Sequence, residues 1–161
     1  MKKIVAICIG LICCLTSCMN GGNGGGDATP HNYEGRYTTY EIDGFGGAIV
    51  DTRHSGTTKV KVEIPDIHAG KLDFTFLGVK FVAMMPELVI KVPSLPYTVE
   101  QGEDGITYKI DAADAVPMIG AVERDDYTMR NIKASIGATT TFEFELQKKD
   151  KVYRVVFTNN L

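Results

Sequence analysis

The sequence predicts an all-β antiparallel domain over residues 33–161, on three observations. Apolar and polar residues alternate strictly in four separate stretches, turn signals lie between them, and helix signals are thin. Period-two alternation gives a strand one dry face and one wet face, the pattern of an antiparallel sheet.

Taken in order, a strand-like piece lies near 34–42 within "YEGRYTTYEI". "KVKVEI" then sets Val60, Val62 and Ile64 against Lys59, Lys61 and Glu63. "KLDFTF" sets Leu72, Phe74 and Phe76 against Lys71, Asp73 and Thr75. A fourth piece lies near 87–92. "ITYKID" sets Ile106, Tyr108 and Ile110 against Thr107, Lys109 and Asp111. A sixth lies near 128–136. "FEFELQ" sets Phe142, Phe144 and Leu146 against Glu143, Glu145 and Gln147, and a last piece covers 151–159. "DGFGG", "RHSG", "HAG", "PSLP", "QGEDG", "ERDD", "IGA" and "KKDK" read as the turns between them. The best helix candidate, "DAADAV" at 111–116, is stopped by Pro117 and Gly120, so it is at most a turn or two. The apolar stretch from Leu77 to Val92 contains Lys80, Pro86 and Glu87 and is not a membrane span. About eight strands with one buried face each call for a closed barrel or a two-sheet sandwich, since either hides unpaired edges.

All four cysteines fall in the first eighteen of 161 residues. Lys2 and Lys3 form a basic head, and Ile4 to Leu15 is an apolar run too short to span a bilayer, the pattern of a secretory signal peptide over residues 1–17. The run ends in "LTSC", with Leu15, Ser17 and Cys18 at the offsets of a lipobox. This resembles the signal of bacterial lipoproteins, and the resemblance implies that Cys18 carries the lipid and becomes the new N-terminus. Acyl groups such as palmitate on Cys18 would then anchor the chain. Cys8, Cys13 and Cys14 would leave with the signal, so the mature chain has no disulfide and no thiol chemistry.

"MNGGNGGGDATPHN" completes a tether over residues 18–32, rich in Gly and Asn and without apolar periodicity. Such a segment spans about 20 Å on average. The net charge of −3 becomes more acidic once Lys2 and Lys3 are removed, which excludes nucleic acid and electrostatic attraction to an anionic membrane as partners. The membrane is held through acyl chains, each buried methylene contributing about 0.8 kcal/mol. Only Asp27 stands near the lipid cysteine, where surface-exported lipoproteins of the Bacteroidetes type carry an acidic run. The expectation is a cell-envelope protein on the outer membrane, facing the periplasm rather than the exterior.

"YEGRYTTYEI", "MMPELVIKVPSLPY", "ITYKIDAADAVP", "ERDDYTMRNIKASIG" and "VYRVVFTNNL" together cover most of residues 33–161. In that order they resemble the calycin-like (lipocalin-like) barrel lipoproteins of Bacteroidetes. The resemblance implies a single antiparallel calycin-like β-barrel of about eight strands, opened by a Gly-x-aromatic at Gly35 and Tyr37. The usual opening aromatic is Trp, and this chain has none. In lipocalins a late basic residue covers that ring, and Arg154 is the nearest counterpart.

No reaction is legible. His31, His54 and His68 lie among turn residues without ligand spacing, so no metal is expected. Ser55 beside His54 is not a nucleophile–base pair, and the chain has no nucleophile elbow, P-loop or dinucleotide motif. Glu103, Asp104, Glu123, Asp125 and Asp126 flank turns and read as solvated hairpins. No catalytic residue, cofactor or metal is therefore assigned, and the chain reads as no enzyme. The barrel's inside remains. Phe74, Phe76, Tyr108, Phe142 and Phe144 point inward, and Met84 and Met85 in "VAMMPEL" stand where they line or plug a mouth. Such a set suits a small, largely apolar ligand or a filled core. Two readings stay open: a lipoprotein that binds or carries such a ligand, and a protein-interaction module with a filled barrel, such as an envelope-complex subunit or a protease inhibitor. Tyr97, Tyr127 and the Met84–Met85 loop are the contact candidates of the second, whose protein partner is unknown.

Overall fold

A computed structural model describes residues 31–103 and 105–159. The expected signal peptide, Cys18 and the tether to residue 30 lie outside these residues. The elements are β1 (His31–Ile42), β2 (Ile49–Asp66), a 3-10 turn (Ile67–Ala69), β3 (Lys71–Val79), β4 (Leu88–Pro96), β5 (Thr98–Gly102), β6 (Gly105–Ala115), β7 (Met118–Ile119), β8 (Val122–Glu123), β9 (Tyr127–Ile136), β10 (Thr141–Lys148) and β11 (Lys151–Thr158).

All ladders are antiparallel and join one sheet in the order β5-β6-β9-β10-β11-β1-β2-β3-β4-β7-β8. The sheet curls until β4 lies against β6, with no ladder between those two strands. The molecule is therefore a curled half-barrel of eleven strands, where the sequence predicts about eight. The surplus comes from β5, β7 and β8, of five, two and two residues, which are too short to show alternation. β1 begins at His31, two residues before the expected boundary, because His31 and Asn32 pair with Val62 and Lys61.

Three local expectations change. "RHSG" lies inside β2, where the register slips between Thr39 and Tyr40 of β1, so the turn residues make a bulge. "PSLP" lies inside β4, where Ser94 has φ 59° and donates its N–H to Asp73 at 2.8 Å. "DAADAV" is not a helical turn. β6 runs on to Ala115, and Ala112 and Asp114 pair with Ile132 and Arg130, because the β9 ladder overrides a weak helix propensity.

The concave face holds the core. Phe74, Phe76, Phe142, Phe144 and Phe157 are buried and mutually packed, with ring centroids 5.2 Å apart for Phe74–Phe142 and 5.3 Å for Phe76–Phe144. Burying each such side chain stabilises by about 1.5–3 kcal/mol. Gly35 sits against the end of β11. A Cβ there would run into the Thr158 carbonyl and stand 2.8 Å from the Phe157 ring. Antiparallel order gives the sheet two ends. The upper end gathers the β1–β2 and β3–β4 loops, the start of β9 and the β10–β11 hairpin; the lower end gathers the start of β1, the β2–β3 corner and the β5–β6 hairpin.

Candidate functional site

The inside of the half-barrel is filled. Among the described residues Phe74, Phe76, Phe142 and Phe144 pack ring against ring there and are all but fully buried. The remaining expected lining residues separate. Met85 reaches an upper cleft, Tyr108 a lower one, and Met84 is 97% exposed.

The upper cleft holds about 220 Å³. Its floor is Phe81, Met85, Tyr127, Leu146 and Tyr153, with the Phe81 and Tyr153 rings 5.3 Å apart. Its rim is the β10–β11 hairpin, Lys148 to Lys151. Alternation places these groups: the inward column of β10 runs Phe142, Phe144, Leu146 and ends on Lys148. On β11, Leu146 faces Tyr153 and Lys148 faces Lys151.

The opening of β1 fastens the cleft's third wall. Tyr37 is buried, and its hydroxyl accepts the Lys80 N–H at 3.0 Å. The buried Thr39 hydroxyl lies 3.2 Å from the His54 carbonyl and 3.3 Å from those of Lys80 and Phe81. The loop after β3 is thus held at its root, and the Met85 N–H closes it onto Val82 at 3.0 Å. Burial pushes the Tyr37 hydroxyl pKa up; the Lys80 N–H works the other way and the Glu87 charge adds to the rise.

Charge gathers on the rim. Lys148 stands 4.8 Å from the centre of the Tyr127 ring. Lys151 reaches Glu41 at 3.1 Å, and Glu41 also pairs with Arg53. The hydrogen bond from Lys151 holds the Glu41 carboxyl below its usual value; burial opposes it and Arg53 adds to it.

The lower cleft, about 270 Å³, lies among His31, Tyr33, Val62, Ile64, Ile106 and Tyr108 and carries no carboxylate or ammonium. Tyr97 leans edge-on to Tyr108 at 5.4 Å. A shallower groove of about 390 Å³ runs over β9–β11 between Lys109 and Thr158.

Arg154 does not meet the Tyr37 ring. The register sets Tyr37 opposite Phe157 and Tyr40 opposite Arg154, so Arg154 stands on the other face of the sheet. The ring's aromatic neighbour is His54, at 5.8 Å. Arg154 instead donates to Glu145 from Nη2 at 2.7 Å and Nε at 3.1 Å, and to the Gly47 carbonyl at 3.2 Å. Glu145 also accepts from the Gly46 N–H at 2.8 Å and Asn131 Nδ2 at 2.7 Å.

Sequence reasoning did not single out Glu145, Asn131, Phe81 or Tyr153. The strict alternation of "FEFELQ" assigns Glu145 to solvent, but Gly46 of the β1–β2 loop, Asn131 and Arg154 close around its carboxylate. Of the turn acids, Asp104 lies outside the described residues, and Asp126 accepts two hydrogen bonds from Arg124, at 2.7 and 2.8 Å. Among the described residues no three His, Cys, Asp or Glu side chains are grouped to hold a metal ion.

Compared with known proteins, the chain matches no family profile, no curated protein and no solved structure. The curled antiparallel sheet is compatible with a calycin-like fold.

Proposed function

We propose that the chain is a non-enzymatic lipoprotein, anchored by acyl chains on Cys18 to the outer membrane and facing the periplasm, that binds or carries a small, largely apolar ligand. The lipobox pattern around Cys18 supports the anchor. The observation that carries the binding role is the upper cleft, an aromatic floor left open beside an interior already filled by phenylalanines. The ligand therefore sits at the mouth and not inside the barrel.

The test is mass spectrometry of an organic extract from purified residues 31–161, which hold the core formed by the described residues, beside a matched unrelated barrel. A bound molecule in stoichiometric amount is expected. A blank extract, together with no response of the cleft's amides to added amphiphiles, would overturn the binding role. For the anchor, intact mass of the full chain made in a Gram-negative host should show a diacylglyceryl adduct that Cys18→Ala abolishes; an unmodified thiol would sink it.

One observation favours the protein-interaction module. Leu77 and Val89 stand on the outer faces of the neighbouring strands β3 and β4, flanking the Phe76–Ile90 pair, at 46% and 39% exposure. Of the expected contact residues only Met84 adds fully exposed surface, since Tyr127 is buried.

A further inference from the structure

The β10–β11 hairpin contradicts what its local physics favours. Two residues join the strands, and the sequence there is Lys148-Lys149-Asp150-Lys151. Lys149 has φ 56°, a left-handed backbone that Gly or Asn adopts readily and a long side chain does not. Lys148 and Lys151 are directly opposed, and like charges directly opposed across a ladder repel. Both continue the inward-facing columns, so their ammonium groups stand at the cleft and not on the outer surface.

Compensation for this charge is incomplete. Glu41 serves Lys151, Asp150 shares the rim and Asp126 feels the charge of Lys148, but no carboxylate among the described residues lies within ion-pair distance of Lys148 or Lys149. Lys148 rests on the Tyr127 ring face, which attracts a cation without neutralising it. Below the lysines the floor is aromatic and aliphatic: Phe81, Met85, Leu146 and Tyr153. At 220 Å³ the cleft holds about seven waters' share of liquid volume, and it falls below the roughly 300–1,000 Å³ of drug-sized pockets.

We propose that the upper cleft takes a small organic anion with an apolar body: a carboxylate borne on a short alkyl chain or an aromatic ring. This rests on the proposed binding role and sharpens it by chemical class. The apolar part lies on Phe81, Met85 and Tyr153, and the carboxylate meets Lys148 and Lys149. The opposed lysines are then a feature of a binding site, and their mutual repulsion is relieved when the anion arrives. Size and charge together exclude long lipids and cationic amphiphiles.

The test is an amide-resolved NMR titration of residues 31–161 with octanoate and, in parallel, with octanol, a neutral molecule of the same chain length. Octanoate is expected to shift the amides of Phe81, Met85, Tyr127 and Lys148 to Tyr153. It is expected to bind about tenfold tighter than octanol, the factor expected of one charge-assisted hydrogen bond, and to weaken with added salt. The Lys148→Gln/Lys149→Gln double variant should bind octanoate only as well as octanol. The readout is the ratio of the two affinities within the variant, and a ratio that stays near tenfold would overturn the role of the two lysines. Equal binding of octanoate and octanol by the unaltered chain would overturn the anion preference while leaving the cleft a binding site. Failure of both to shift the cleft's amides would overturn the binding role as well.

Discussion

Arg154 holds Glu145 through two hydrogen bonds on the outer face of the sheet, 2.7 and 3.1 Å long, beneath the β1–β2 loop. The side chain of Glu145 is 3% exposed and that of Arg154 21%. Gly46 and Gly47 close over the pair, and Phe45 lies against Arg130 with the guanidinium 4.8 Å from the ring centre. A carboxylate so enclosed is tolerated only because every oxygen is met.

Burial alone would raise the Glu145 carboxyl pKa; the Gly46 N–H, Arg154 and Asn131 outweigh it and leave it below the usual value of 4.5. A depressed folded pKa contributes stability that is present above the unfolded value and is lost as pH falls through the folded one. Denaturant midpoints should therefore decline below about pH 4.5. Glu145→Gln should cost about 2–3 kcal/mol at neutral pH and flatten that decline. The figure lies below the usual 3–5 for breaking a buried pair because Arg154 retains some water. An unchanged acid profile in the variant would contradict this account of the loop.

Gly35→Ala should destabilise by about 3 kcal/mol, because the added methyl meets backbone at Thr158 and Asn159 that cannot swing aside. Gly102→Ala, where nothing lies within 4 Å, should stay within about 0.5 kcal/mol. Equal effects in urea melts would show that β1 and β11 do not approach as described.

Tyr37→Phe keeps the buried ring and removes the hydroxyl that accepts the Lys80 N–H. The loss should be about 1–2 kcal/mol, the cost of an unmet donor. Hydrogen exchange at the Lys80 amide should accelerate, and octanoate affinity should fall several-fold as the cleft's wall loosens. Exchange at the wild-type rate would mean that Tyr37 is no strut for the loop.

Lys149→Gly should raise stability by about 1 kcal/mol, since glycine accepts the positive φ that lysine resists. The same change should weaken octanoate binding. A variant that gains stability without losing affinity would show that the hairpin's strain serves no ligand.

The strands that carry the core were legible because their dry faces repeat without error, as in "KLDFTF" and "FEFELQ". Pro, Gly and Ser were less informative, because the same residues that end a strand also let it bulge. "PSLP" and "RHSG" read as turns for that reason, and each lies within a strand. Arg154 was assigned by resemblance to the wrong face, and counting register from Tyr37 against Phe157 removes the ambiguity. The cleft was half visible. Met85 was marked by its place in an apolar loop, whereas Phe81 and Tyr153 meet across 72 residues of sequence that only the closed curl brings together.

The central claim is that the ligand occupies the upper mouth because the phenylalanines fill the interior. Nuclear Overhauser contacts from bound octanoate protons to the protein test it most directly. The account predicts contacts to Met85, Phe81 and Tyr153 and none to Phe74 or Phe142. Contacts to Phe74 and Phe142 would mean that the core opens to admit the chain, and the mouth site would be wrong.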